Sequence, residues 1–128
     1  MTVSWSRKLF QASAWLLAFA IVVLSLVPPS HRPVTNASHY FEHLAIFLAT
    51  GFAFGMGYPN RFFAWATRLI LFCSVIEIAQ HWDPGRHARL SDFVVDAMAA
   101  WAGLGIAFAT MSVISNTRSH RGCCNGRE

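Results

Sequence analysis

Between Leu9 and Val27 the chain runs for 19 residues without a charge (LFQASAWLLAFAIVVLSLV). A helix needs ~20 predominantly apolar residues to cross the hydrocarbon core of a bilayer. Further apolar runs follow: LAIFLATGFAFGM after His43, the stretch from Phe62 to Trp82, and the stretch from Ser91 to Ile114. They are continuously apolar rather than alternating, which argues against a transmembrane barrel. Across 128 residues the chain is 55% hydrophobic and 12% charged, too apolar for a soluble domain and too short for a second one. The expected fold class is therefore all-α, an integral membrane four-helix bundle. Its spans are expected at about 9–27, 39–56, 64–82 and 91–114. Residues 1–8 form a polar lead and residues 115–128 a basic tail, read as disordered from Asn116.

The breakers agree with these spans. Pro28-Pro29 stops the first run, because proline lacks an N–H and restricts the residue before it. A cleaved signal peptide would show a small-residue cleavage site there, so the first run is read as an uncleaved span. Gly57-Tyr-Pro-Asn-Arg61 is a turn between the second and third spans. Trp65 and Trp82 bracket the third span like interfacial anchors, and Arg68 near its start is placed to snorkel. Ser91 is an N-cap candidate, with Asp92 in the first turn of the fourth span. Gly51 and Gly55 make a G-x-x-x-G, a spacing that permits close helix approach and also arises by chance in a glycine-containing run.

Four spans put both termini on one side. Arg7, Lys8, Arg61, Arg68, Arg118, Arg121 and Arg127 fall on that side, and Arg32, Arg86 and Arg89 on the other. By the positive-inside rule the termini are cytoplasmic. The acids take the opposite bias. Glu42, Glu77, Asp83, Asp92 and Asp96 gather at the outer ends of spans two, three and four, with only Glu128 inside.

Acids inside apolar runs are costly and face protein or a water-filled cavity. Glu77 and Gln80 lie three apart on one helix face, and Asp92 and Asp96 four apart on another. Arg86 sits on the loop between them and can fold over either pair. One reading is a clip, in which Arg86 neutralises Glu77 or Asp92 and locks the hairpin of spans three and four. The other is a binding site for a polar headgroup, made of His43, Glu77, Gln80, Arg86, Asp92 and Asp96. In that reading Glu77 and Asp92 are the candidates for acid/base work, and His43 is a hydrogen-bond partner of the Glu77 cluster.

His39-Tyr-Phe-Glu42-His43 matches H-x-x-E-H, the inverzincin pattern. A third zinc ligand would have to come from His81, His87 or Asp92, and we read neither a metal site nor a cofactor here. Cys73 sits in an apolar run. Cys123 and Cys124 are adjacent in the tail, not in the C-terminal box that prenylation requires. There is no disulfide framework, no glycine-rich phosphate loop and no nucleic-acid motif. The basic tail suits anionic lipid headgroups.

Taken in order, Glu77-x-x-Gln80, Pro84-Gly85-Arg86, Asp92-x-x-x-Asp96 and Gly103 form a pattern that resembles the VanZ-like family of bacterial membrane proteins. Leu24-Ser25-Leu26 before Pro28, and His43 at the start of span two, also fit. The resemblance covers roughly Leu24 to Phe108. The chain departs from the family at His39-Tyr40, where members often carry Asp-Lys, and at Asp96, where they often carry Asn. The resemblance implies a protein of the cell envelope; the founding member is associated with teicoplanin resistance. It implies no established reaction. The expected partners are membrane lipid and a lipid-linked envelope precursor or a lipoglycopeptide. Two other readings stand open: a membrane-embedded hydrolase or transferase acting on a lipid-linked substrate, and a structural assembly partner.

Overall fold

The computed structural model describes residues 2–26, 39–81 and 90–124. All of its regular structure is helical: α1 (Thr2–Leu26), α2 (His39–Gly57), α3 (Phe62–His81) and α4 (Leu90–Cys124). Three helices are long and apolar enough to cross a membrane, over Trp5–Ser25, Phe62–Gln80 and Ser91–Asn116; α2 holds a shorter apolar segment, His43–Gly57.

Local chemistry sets most boundaries. α1 ends at Leu26, just before the pair of residues that Pro28 constrains. It starts at Thr2, so the polar lead continues the helix; no glycine or proline stands between Thr2 and Pro28. The Tyr58 N–H closes α2 on the Phe54 carbonyl at 2.9 Å. The Arg61 N–H donates to the Tyr58 carbonyl at 3.1 Å, a β-turn with Pro59 in the position whose φ proline already has. Arg61 then accepts the first α3 bond from the Trp65 N–H at 3.0 Å.

Two boundaries correct the sequence reading. α4 opens at Leu90, so Ser91 lies inside the first turn and its hydroxyl donates to the Asp92 carboxylate at 3.1 Å instead of capping the helix. At the other end, the tail read as disordered from Asn116 is helical through Cys124. No proline or glycine interrupts the chain between Ile114 and Gly122, and the Ser112 and Ser115 hydroxyls fold back onto the Phe108 and Ser112 carbonyls.

The helices alternate in direction. Gln11 of α1 donates to the Gly57 carbonyl at the far end of α2, at 3.0 Å. Trp65 of α3 stacks on Phe54 of α2, and Phe72 meets Phe47 further along, which runs α3 antiparallel to α2. Trp101 of α4 donates to the Ala66 carbonyl of α3 at 3.2 Å, while Phe62 meets Phe108, so α4 opposes α3. α2 and α4 therefore lie parallel and side by side.

Among the described residues that pair makes the closest approach. A Cβ built on Gly51 would lie 1.9 Å from the Ala100 carbonyl oxygen, and one on Gly103 would lie 2.0 Å from the Leu48 oxygen. Gly55 faces the Ala107 Cβ at 2.5 Å. The G-x-x-x-G of α2 is thus a packing surface. Its counterpart on α4 is the row Asp96, Ala99, Ala100, Gly103, Leu104, Ala107, all buried at the helical spacing. Small residues let two backbones meet in this way.

Apolar side chains also cover the outside. Leu9, Leu16, Phe19, Phe63, Leu71, Val75, Ile78, Met98, Ile106 and Val113 are all exposed. A helix that is apolar all round belongs in a large core or in a bilayer.

Candidate functional site

The polar residues of the apolar runs come from three helices and lie towards one end of the fold, away from the turn at Tyr58–Arg61. His43, in the second turn of α2, and Asp96, in the second turn of α4, face each other across the parallel pair. His43 Nδ1 lies 3.3 Å from each Asp96 carboxylate oxygen. An Nδ1–H donating to the carboxylate accounts for the contact. Asp96 is 4% exposed, so it meets protein rather than solvent.

The pair is held from below. The His43 ring stacks on Phe47 at 6.2 Å between centroids, and Phe47 in turn meets Phe72 of α3. Phe47 is 1% exposed, so the imidazole rests on a fixed floor. One further turn along, Thr50 is fully buried, and its hydroxyl donates to the Ile46 carbonyl at 2.7 Å. The glycine contacts at Gly51 and Gly103 continue the same seam. They bring the two helices near enough for a short aspartate to reach an imidazole.

The structure places the other predicted residues on α3 and α4. Gln80 is buried near the end of α3. Glu77, one turn earlier, is half-buried, with Oε1 closed off from solvent. Asp92 is half-buried in the first turn of α4 and accepts from Ser91. Cys73 is buried on α3. His43 thus has a hydrogen-bonding partner on α4, in Asp96. Arg86 lies outside the described residues, and with it the clip to Glu77 or Asp92. The side chains of His39 and Glu42 lie outside them too, so H-x-x-E-H is not addressed. Among the described residues no three His, Cys, Asp or Glu side chains come together as a metal would need.

A second cluster, at the opposite end, was not anticipated. Trp65, read as an interfacial anchor, is 7% exposed and stacked on Phe54 at 4.1 Å between centroids. Tyr58 lies 4.7 Å from it and Trp15 6.2 Å. The Trp15 indole N–H donates to the Tyr58 hydroxyl at 3.4 Å. Arg68 extends over the Trp65 ring, 4.9 Å from its centroid. The aromatic ring sits inside because Trp65 falls on the buried face of α3 with Leu69, Cys73 and Ile76. That spacing was available in the sequence, but interfacial placement was an equally good account of a tryptophan near a helix start. Trp82, its proposed counterpart, lies outside the described residues.

No protein-family model, no curated protein and no solved structure matches this chain.

Proposed function

We propose that the chain is a VanZ-like, multi-pass protein of the bacterial cytoplasmic membrane, a four-helix bundle with both termini cytoplasmic. Its polar site faces outward and engages a lipid-linked envelope precursor or a lipoglycopeptide at the outer leaflet. The observation that carries this reading is the His43–Asp96 pair, set between glycine-packed helices at the same end as Glu77, Gln80 and Asp92. Polar groups are kept inside apolar helices at a cost, and function is their usual reason. The ordered motifs from Glu77 to Gly103 supply the family name; no matched family model does.

Binding suits this site better than catalysis. Asp96 is nearly closed to solvent and committed to His43, so it orients the imidazole rather than meeting a substrate. Asp92 and Glu77 are less enclosed, and they offer acceptors to the hydroxyl and amide hydrogens of a sugar or peptide headgroup. Expression of the protein is expected to raise teicoplanin tolerance of a susceptible host above that of an empty vector. Asp92→Asn, half-buried and at a helix start, is expected to abolish that gain at unchanged protein abundance. Undiminished tolerance in the variant would remove Asp92 from the site.

Orientation has its own check. The alternating helices set the start of α1 and the end of α4 at the same end, with Arg61 and Arg68. Cys123 and Cys124 are then cytoplasmic, and an impermeant thiol reagent is expected to miss them in intact cells and reach them after permeabilisation. Labelling of intact cells would turn the molecule over and put the polar site inside.

A further inference from the structure

At the end of the fold opposite the His43–Asp96 pair, α1, α2 and α3 enclose a cavity of about 500 Å³, lined by Trp15, Ala18, Phe54, Trp65, Arg68, Leu69 and Phe72. That volume lies in the ordinary range of small-molecule and lipid sites, ~300–1,000 Å³. Apart from Arg68 and the indole N–H groups its lining is apolar. It runs along α3 from Trp65 and Arg68, near the helix start, to Phe72, a turn further in. The Arg68 side chain is exposed and directed back over Trp65, towards the helix start, as helical side chains are. Trp65 is more than nine-tenths buried, and its Nε1–H has no acceptor among the described residues.

We propose that this cavity holds one acyl chain of an anionic phospholipid, whose phosphate is bound by Arg68. The polar groups gather at one end of the lining and apolar groups run on from them, as in a phospholipid. The Arg68 cation and the buried Trp65 Nε1–H stand together near the start of α3, where the phosphate and its ester would lie. Leu69 and Phe72 continue inward along α3, where the hydrocarbon would lie. The charge is complementary, and Arg61 stands at the same end to add to it. The site rests on the membrane reading but not on the outward polar site, which lies at the other end. It makes the cluster around Trp65 a lipid seat as well as a helix junction.

The test uses the full chain in detergent, offered equimolar phosphatidylglycerol and phosphatidylcholine with identical acyl chains and followed by native mass spectrometry. The wild type is expected to retain phosphatidylglycerol in preference. Arg68→Gln, at an exposed position, is expected to lose about fivefold of that preference, the usual weight of one cationic residue against an anionic lipid. Arg68→Lys is expected to keep it. Ala18→Phe, which fills the cavity, is expected to lower retention of both lipids. Millimolar inorganic phosphate is expected to displace neither, which separates a lipid from a free anion. Asp92→Asn is expected to behave as wild type here even though it loses teicoplanin tolerance, so failure of one reading is visible apart from the other. Equal headgroup preference in wild type and Arg68→Gln, or displacement by phosphate alone, would overturn the site.

Discussion

Gly103→Ala is expected to separate α2 from α4 and to abolish the folded protein in detergent, while Gly105→Ala, two positions away, is expected to leave it unchanged or slightly more stable. The contrast follows from what each new methyl would meet. At Gly103 the Cβ would lie 2.0 Å from the Leu48 carbonyl oxygen and 2.8 Å from the Phe52 nitrogen. Both are backbone atoms of α2, so no side chain can swing aside and the helices themselves must part. Overpacking a core costs about 1–3 kcal/mol, and occasionally more, when side chains can adjust. Here they cannot, and the loss is expected at or above the top of that range. Gly51→Ala meets the Ala100 carbonyl at 1.9 Å and is expected to behave alike. Gly55→Ala meets a methyl at 2.5 Å and should fall between. Around Gly105 nothing lies within 4 Å, so alanine there gains the ~0.5–1 kcal/mol of helix preference that glycine forgoes. Thermal unfolding and size-exclusion profiles of the four variants check the ranking. A Gly103→Ala protein that melts with the wild type would mean that α2 and α4 do not meet as described.

The same seam marks what the sequence could and could not disclose. Helix number and rough extent were legible, because uninterrupted apolar runs and Pro28, Pro59 and Gly57 act locally. The all-helical class and the three helices long enough to cross a membrane follow from that. Which helix lies against which was not legible. Every helix here is apolar on several faces, so periodicity does not single out a buried stripe as it does on a water-soluble helix. Gly51 and Gly55 could be read only as a spacing shared by chance and by packing, until Ala100, Leu104 and Ala107 were found opposite them. Gly103 and Gly105 looked equivalent in the chain and are not, since one faces a backbone and the other open space.

Among the site residues, the grouping of His43, Glu77, Gln80, Asp92 and Asp96 towards one end was legible from the alternation of spans. The contact of His43 with Asp96 was not, because it depends on α4 packing beside α2. Parallel packing of two helices separated by a whole antiparallel helix is a long-range outcome, with no local trace in the sequence. Burial of Trp65 escaped for a related reason: a tryptophan one turn inside a helix suits the membrane interface and a helix junction alike. Only its stacking on Phe54 and Tyr58 decides between them.

Replacing His43 by Leu is expected to destabilise the protein more than replacing Asp96 by Leu, and the double variant is expected to recover most of the loss. Side-chain exposure is 21% for His43 and 6% for Asp96. His43→Leu leaves a carboxylate nearly sealed in an apolar seam with its donor gone. Stranding one member of a buried ion pair typically costs ~3–5 kcal/mol. Asp96→Leu removes one partner from an imidazole that still reaches solvent, so the ~1–3 kcal/mol of a lost polar contact is the appropriate scale. Putting leucine at both places removes both polar groups from an apolar setting, which is often nearly neutral. Asp96→Asn keeps an acceptor for the Nδ1–H and is expected to sit close to wild type. Melting temperatures in detergent for the three leucine variants and Asp96→Asn form the comparison. Should the two single losses simply add in the double variant, His43 and Asp96 are not coupled and the α2–α4 seam is held by its small residues alone. If the double variant folds well yet lacks the teicoplanin tolerance proposed above, the pair serves that proposed site rather than the fold, the result we expect.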